Sequence, residues 1–205
     1  MVMLIFKNSL RKIRKSLGRF LSLILIVILG TSFFAGVRET ASDMIKTLDH
    51  YYDETSLYDF KIISTMGLTE DDLASVKDID SVEKVEGAYS FDTLVDGNVI
   101  KVLSLTDEMN KVTLVDGSMP TNNNECLVED GFAKIGDEIT LGENSADYVK
   151  NDTYKVVGTI NSSSYIYDNK GIATVGDGKL DSFIYILKDN FDIDSAYEEI
   201  EEPIT

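Results

Sequence analysis

The chain has little of what builds cofactor or covalent chemistry. Its 205 residues contain one cysteine and one histidine. A lone cysteine excludes an internal disulfide, and one cysteine with one histidine cannot complete a zinc site. Cys126 therefore reads either as a small buried residue or as an exposed reactive thiol. His50 sits among polar neighbours and reads as a solvated side chain. No G-x-S-x-G elbow occurs, and a Ser–His–Asp triad would have to recruit His50. The run VGDGKL at 175–180 lacks the spacing of a phosphate loop and reads as a turn. No D-x-[DN]-x-[DN]-G calcium loop is present, and the Asp-Gly and Gly-Asp pairs read first as turn formers. No catalytic residue, cofactor site or metal site follows from these residues. Basic charge is also scarce: 19 Lys and Arg stand against 36 Asp and Glu, a net charge of -17. That balance argues against nucleic acid as a partner.

The average conceals a division. The first 20 residues hold Lys7, Arg11, Lys12, Arg14, Lys15 and Arg19 and no acid, while all 36 acidic residues follow. Between these blocks runs FLSLILIVILGTSFFAGV, from Phe20 to Val37, without a charge. As a helix rising ~1.5 Å per residue it spans roughly 27 Å, close to the ~30 Å hydrocarbon core of a bilayer. It is apolar all round, so it suits lipid rather than one face of a soluble core. The six basic residues on its N-terminal flank predict a cytoplasmic tail over 1–19 and a membrane helix over 20–37. Everything after Arg38 then lies outside the cell membrane. Gly30 and Gly36 permit close packing against another helix.

Two other readings share this pattern. A cleaved signal peptide also places basic residues before an apolar core. This core is longer than the usual ~7–15 residues, and no clean A-x-A site follows it. The nearest candidate, Gly36 to Ala41, is interrupted by Arg38 and Glu39. A buried helix of a soluble protein is the other reading, but it leaves the acid-free basic cluster unexplained.

Downstream, the residues predict an α+β fold: a strand-rich extracytoplasmic domain with a few helices. Residues 39–52 extend the membrane helix, with Met44, Leu48 and Tyr51 or Tyr52 at helical spacing, giving a membrane-proximal extension over 38–55. The outer domain covers 56–205. LYDFKIIST at 57–65 alternates and predicts a strand. Thr69 caps a helix that starts with Glu70, Asp71 and Asp72 and buries Leu73, Val76 and Ile79. A strand in 82–95 turns at Asp96-Gly97-Asn98 into a second strand at 99–105. Further strands are predicted in 111–117, 136–142, 153–160 and, well buried, 181–187. The TNNNE run from Thr121 reads as a polar loop. IDSAYEEI at 193–200 predicts a final helix capped by Asp194 or Ser195. No internal repeat or low-complexity tract appears.

The opening LRKIRKSLGRFLSLILIVILGTSFFAGVRETASDM resembles the start of FtsX-like ABC transporter permeases of Gram-positive bacteria. GLTEDDLASVKDIDSVEKVEGAY, VDGSMP, IGDEITL and YKVVGTI follow in an order that looks like a MacB-type extracytoplasmic core domain. SSSYIYDNKGIATVGDGKLDSFIYI is also similar to that branch.

The resemblance implies a non-enzymatic permease subunit. Its partners would be the lipid bilayer, a cytoplasmic ABC ATPase on a separate chain, and the remaining permease helices or a second permease half. The outer domain would handle a lipid, lipoprotein, peptide or drug. A full permease of this type has at least three more membrane helices, so the resemblance implies an N-terminal fragment or a truncated reading frame. A free-standing, membrane-anchored surface binding or adaptor module is the alternative, and a secreted enzyme is the third reading.

Overall fold

The computed structural model describes residues 11, 16–64, 67–167 and 170–192. The predicted helix at 193–200 and its candidate caps Asp194 and Ser195 lie outside the described residues. The architecture is α+β: a long N-terminal helix followed by a mixed sheet with few helices. The chain divides into two compact units, Met1–His50 and Tyr51–Thr205.

Helix α1 runs from Leu17 to Thr55 over 39 residues. It is long and apolar enough to cross a membrane, with a mean hydropathy of 2.5 in its most apolar stretch. Its large apolar side chains between Phe20 and Val37, among them Leu25, Leu29, Phe33, Phe34 and Val37, are exposed. Two threonine hydroxyls along the helix are already used within it. Thr31 donates to the Val27 carbonyl at 2.8 Å and Thr40 to that of Gly36 at 2.8 Å. A lipid environment would therefore meet no unpaired hydroxyl donor from either threonine.

Helix α2, Glu70–Lys77, starts where its capping signals predict. Thr69 accepts from the Asp72 amide, and the Asp72 carboxylate accepts from the Thr69 amide at 2.8 Å. This reciprocal box satisfies two donors that a helix end otherwise leaves open. The stripe beneath it is only partly covered: Leu73 and Val76 are half-buried, and Ile79 is 51% exposed. The expected burial of Ile79 is thus corrected, because the helix ends at Lys77 and Ile79 falls in the following turn.

Among the described residues, seven strands form one sheet: β1 Ser90–Val95, β2 Asn98–Ser104, β3 Val112–Gly117, β4 Glu125–Glu129, β5 Glu138–Thr140, β6 Thr153–Ser162 and β7 Ser182–Ile186. Their spatial order is β1-β2-β7-β4-β6-β3, with β5 also paired to β6. The β1–β2 hairpin closes on Asp96 and Gly97, whose φ values of 49° and 84° are those of a two-residue type I′ turn. Strand β2 runs parallel to β7, β7 antiparallel to β4, and β4 parallel to β6.

Both faces of the sheet are covered, so central strands read as continuous apolar runs rather than alternating ones. Every residue of β7, SFIYI, is buried. Ile100, Val102, Cys126, Val128, Val156, Ile184 and Ile186 share one core. Leu103, Leu127, Ile160, Phe183 and Tyr185 form the core of the opposite face. A bulge in β6 changes which face its residues serve. Cys126 pairs with Val156 but Leu127 with Gly158, so Val157 is the extra residue. After it, Ile160 joins the second core although Val156 belongs to the first.

Gly158 is a glycine because the chain crosses closely there. A Cβ at that position would lie 2.9 Å from the Leu114 side chain and 2.9 Å from the Ser118 carbonyl. The two sheet margins differ. Strand β3 is exposed along most of its length and bulged at Val115. Strand β1 is covered by Asn144, whose amide nitrogen donates to the Asp92 carbonyl at 2.9 Å and whose amide oxygen accepts from the Thr93 hydroxyl at 2.7 Å. A bulge and a side-chain cover are both devices that blunt edge-to-edge pairing.

Two further expectations are corrected, and one strand was not foreseen. Residues 57–64 join no ladder among the described residues, and Phe60, Ile62 and Ile63 are 89%, 61% and 76% exposed. Alternation alone does not make a strand; the backbone needs a partner and a surface to cover. The strand sought in 82–95 is confined to Ser90–Val95. Strand β4, inside the sheet, went unpredicted because Cys126, Leu127 and Val128 are a three-residue apolar run between two acids.

Candidate functional site

One closely tied region lies where α1 ends. Ser56 follows the helix in the left-handed conformation, at φ 49°. Its amide donates to the Asp53 carbonyl at 3.1 Å, and the Leu57 amide donates to that of Tyr52 at 3.0 Å. This pair of bonds is a Schellman ending, which uses carbonyls that the helix cannot satisfy itself. Glycine usually fills that position; serine does so here at a steric cost.

The ending is then bonded to the loop between β2 and β3. The Asn110 amide donates to the Ser56 carbonyl at 2.8 Å, and the Lys111 amide to that of Thr55 at 2.8 Å. Asn110 is itself left-handed, at φ 50°. Its side-chain oxygen accepts from the Ser164 hydroxyl at 2.6 Å. Beneath it, Ser162 and Tyr185 share a buried hydrogen bond of 3.1 Å. Burial pushes the Tyr185 phenol above its ordinary value, against the opposing effect of hydrogen bonds from Ser162 and Asn110.

The same loop receives a carboxylate from the other direction. Glu86 accepts from the amides of Asp107 at 2.7 Å, Glu108 at 3.1 Å and Met109 at 2.7 Å. Three consecutive amides converging on one carboxylate form a backbone nest. Thr106 closes the loop by donating its hydroxyl to the Met109 carbonyl at 2.6 Å. Sequence reading passed over Ser56, Glu86 and Asn110. Asparagine tolerates left-handed backbone, which is a weak signal at Asn110, whereas nothing in the local sequence marks Ser56 or Glu86.

A second polar cluster lies on the sheet. Asp92, almost fully buried, accepts from the Lys101 ammonium and from the Thr174 amide at 2.8 Å and its hydroxyl at 3.1 Å. Glu129 accepts from Lys170 at 2.6 Å and from the Ser182 hydroxyl at 2.6 Å. These groups tie the 170–181 loop to the sheet and have their partners in place, so the cluster reads as structural. A shallow cleft of about 400 Å³ opens beside the hairpin turn, lined in part by Asp96, Asn98, Phe132, Asp137 and Glu138.

Of the charged residues predicted to set topology, Arg11 and Arg19 are described and exposed. Lys7, Lys12, Arg14 and Lys15 lie outside the described residues. Cys126 resolves as the buried of its two readings: it is fully enclosed, and burial pushes its thiol up to about 12. Residues 175–180 form the expected turn. Among the described residues, no group of three or more His, Cys, Asp or Glu side chains is placed to hold a metal ion. Compared with protein-family models, with curated proteins and with solved structures, the chain matches none.

Proposed function

We propose that this chain is the N-terminal part of an ABC transporter permease subunit. In this reading residues 1–19 are a cytoplasmic tail, 20–37 cross the cell membrane, 38–55 continue the helix outside, and 56–205 form a MacB-like extracytoplasmic domain. The subunit is non-enzymatic. It transmits ATP hydrolysis by a partner ATPase to the outer domain that handles substrate.

One observation carries the proposal. A basic, acid-free tail precedes one uninterrupted helix, Leu17–Thr55, which contains the apolar stretch and whose final carbonyl, that of Thr55, accepts from the Lys111 amide. A flexible tether would suffice to hold a binding domain near a membrane, whereas a helix ended by a Schellman motif and two further backbone bonds is suited to transmitting displacement. The order of family-like segments quoted above adds the transporter assignment.

Extraction of the full chain from native membranes in mild detergent, followed by mass spectrometry, tests this. An ABC ATPase recovered in near-stoichiometric amount is the expected result. A solitary protein would favour the free-standing anchored surface module instead. Recovery from the medium with an N-terminus near Ala41 would favour a secreted protein.

A further inference from the structure

Among the described residues, three that are not glycine hold positive φ: Ser56, Asp96 and Asn110. Asp96 is accounted for by the type I′ hairpin turn, which demands that conformation. Ser56 and Asn110 are far apart in sequence, yet the amide of one is bonded to the carbonyl of the other. Left-handed backbone is unfavourable for serine and only tolerated by asparagine, and at Ser56 it persists because surrounding bonds over-determine it. Here those bonds come from three separate segments: the helix ending, Ser164, and Glu86 through the adjacent amides of Asp107, Glu108 and Met109.

We infer that the Thr106–Lys111 loop is a conformational joint, latched by Glu86, that links the end of α1 to the segment following α2. Glu86 lies nine residues beyond the end of α2 at Lys77, on the stretch that feeds β1. Displacing the Thr55 and Ser56 carbonyls pulls on the Asn110 and Lys111 amides, which are continuous with the Glu86 nest. Conversely, releasing Glu86 frees three amides and removes one of the restraints that hold Asn110 left-handed. The latch is a charge-assisted set of bonds at a partly exposed site, so it is strong enough to hold and accessible enough to open. The linkage deepens the permease reading by naming the element that would carry motion into the outer domain, but its readout is internal to the chain. Recovery of a partner ATPase has no bearing on it.

Amide hydrogen exchange on the full chain in detergent micelles tests the joint. Glu86→Ala is expected to speed exchange at least tenfold at Asp107 and Met109, and also severalfold at Leu57, Asn110 and Lys111, while Val102 and Ile184 keep their wild-type rates. Acceleration confined to residues 107–109 would overturn the linkage. If Glu86→Ala loosens the whole sheet, Ser164→Ala decides, because it deletes only the hydroxyl on Asn110. Severalfold faster exchange at Asp107 and Met109 in that variant supports the joint, and wild-type rates at both amides overturn it.

Discussion

The amide of Asn110 donates to the carbonyl of Ser56 across 2.8 Å, and both residues hold left-handed backbone. The helix end therefore depends on a conformation that serine adopts at a cost of about 1–2 kcal/mol. Ser56→Gly should leave stability unchanged or raise it by up to about 1 kcal/mol, the smaller loss of freedom in serine offsetting part of the gain. Ser56→Val should cost at least about 1–2 kcal/mol, because a β-branched side chain is least tolerated there. Urea unfolding followed by tyrosine fluorescence checks both, since the chain has no tryptophan.

Glu125 accepts from the Thr121 amide at 2.7 Å and from the Asn122 side chain at 2.8 Å and amide at 3.1 Å. These bonds, the Thr121 amide first, hold its carboxyl down to about 2 from an ordinary 4.5. A carboxyl depressed in the folded state favours folding fully above its unfolded value and loses that contribution as pH falls toward the folded one. The loop before β4 should therefore loosen between about pH 4.5 and 2. Carbon chemical shifts of the Glu125 carboxyl, titrated over that range, should give a midpoint near 2. A midpoint near 4.5 would show that the bonds do not persist in solution.

Cys126 is enclosed on β4, and burial pushes its thiol from 9.0 up to about 12. Only the unfolded chain ionises this thiol between those values, so stability should fall as pH rises above about 9. At pH 8 a thiol reagent should react only as fast as the sheet opens, and adding urea should speed labelling in step with unfolding. Rapid labelling of the native protein would contradict the burial.

Ile184 is fully buried in β7, between β2 and β4. Ile184→Ala should destabilise the sheet unit by about 2–5 kcal/mol, through lost transfer energy and the cavity left behind. Ile172→Ala, at a side chain 88% exposed, should change stability by less than about 0.5 kcal/mol. Paired urea denaturation curves measure the difference.

Features set by local chemistry were legible in the sequence. The helix cap at Thr69, the hairpin turn at Asp96-Gly97-Asn98 and the uninterrupted apolar helix each follow from short-range preference. What depended on distant partners was not. Residues 57–64 alternate like a strand but have no ladder partner among the described residues, and β4 occupies an inner position despite having only three apolar residues. The bulge at Val157 cannot be seen without knowing that Leu127 pairs with Gly158. The same holds for the joint, since Glu86, Asn110 and Ser56 are brought together by tertiary hydrogen bonds that no spacing rule predicts.

The proposed topology has residues 20–37 crossing the cell membrane and residues 56–205 outside. Single cysteines placed at the exposed positions Arg11 and Tyr167, in a chain whose own Cys126 is buried, allow a direct measurement in intact cells. A membrane-impermeant maleimide should label Tyr167→Cys at once and Arg11→Cys only after the cells are permeabilised. The reverse pattern, or Tyr167→Cys recovered in the medium on a chain lacking the apolar helix, would contradict the account.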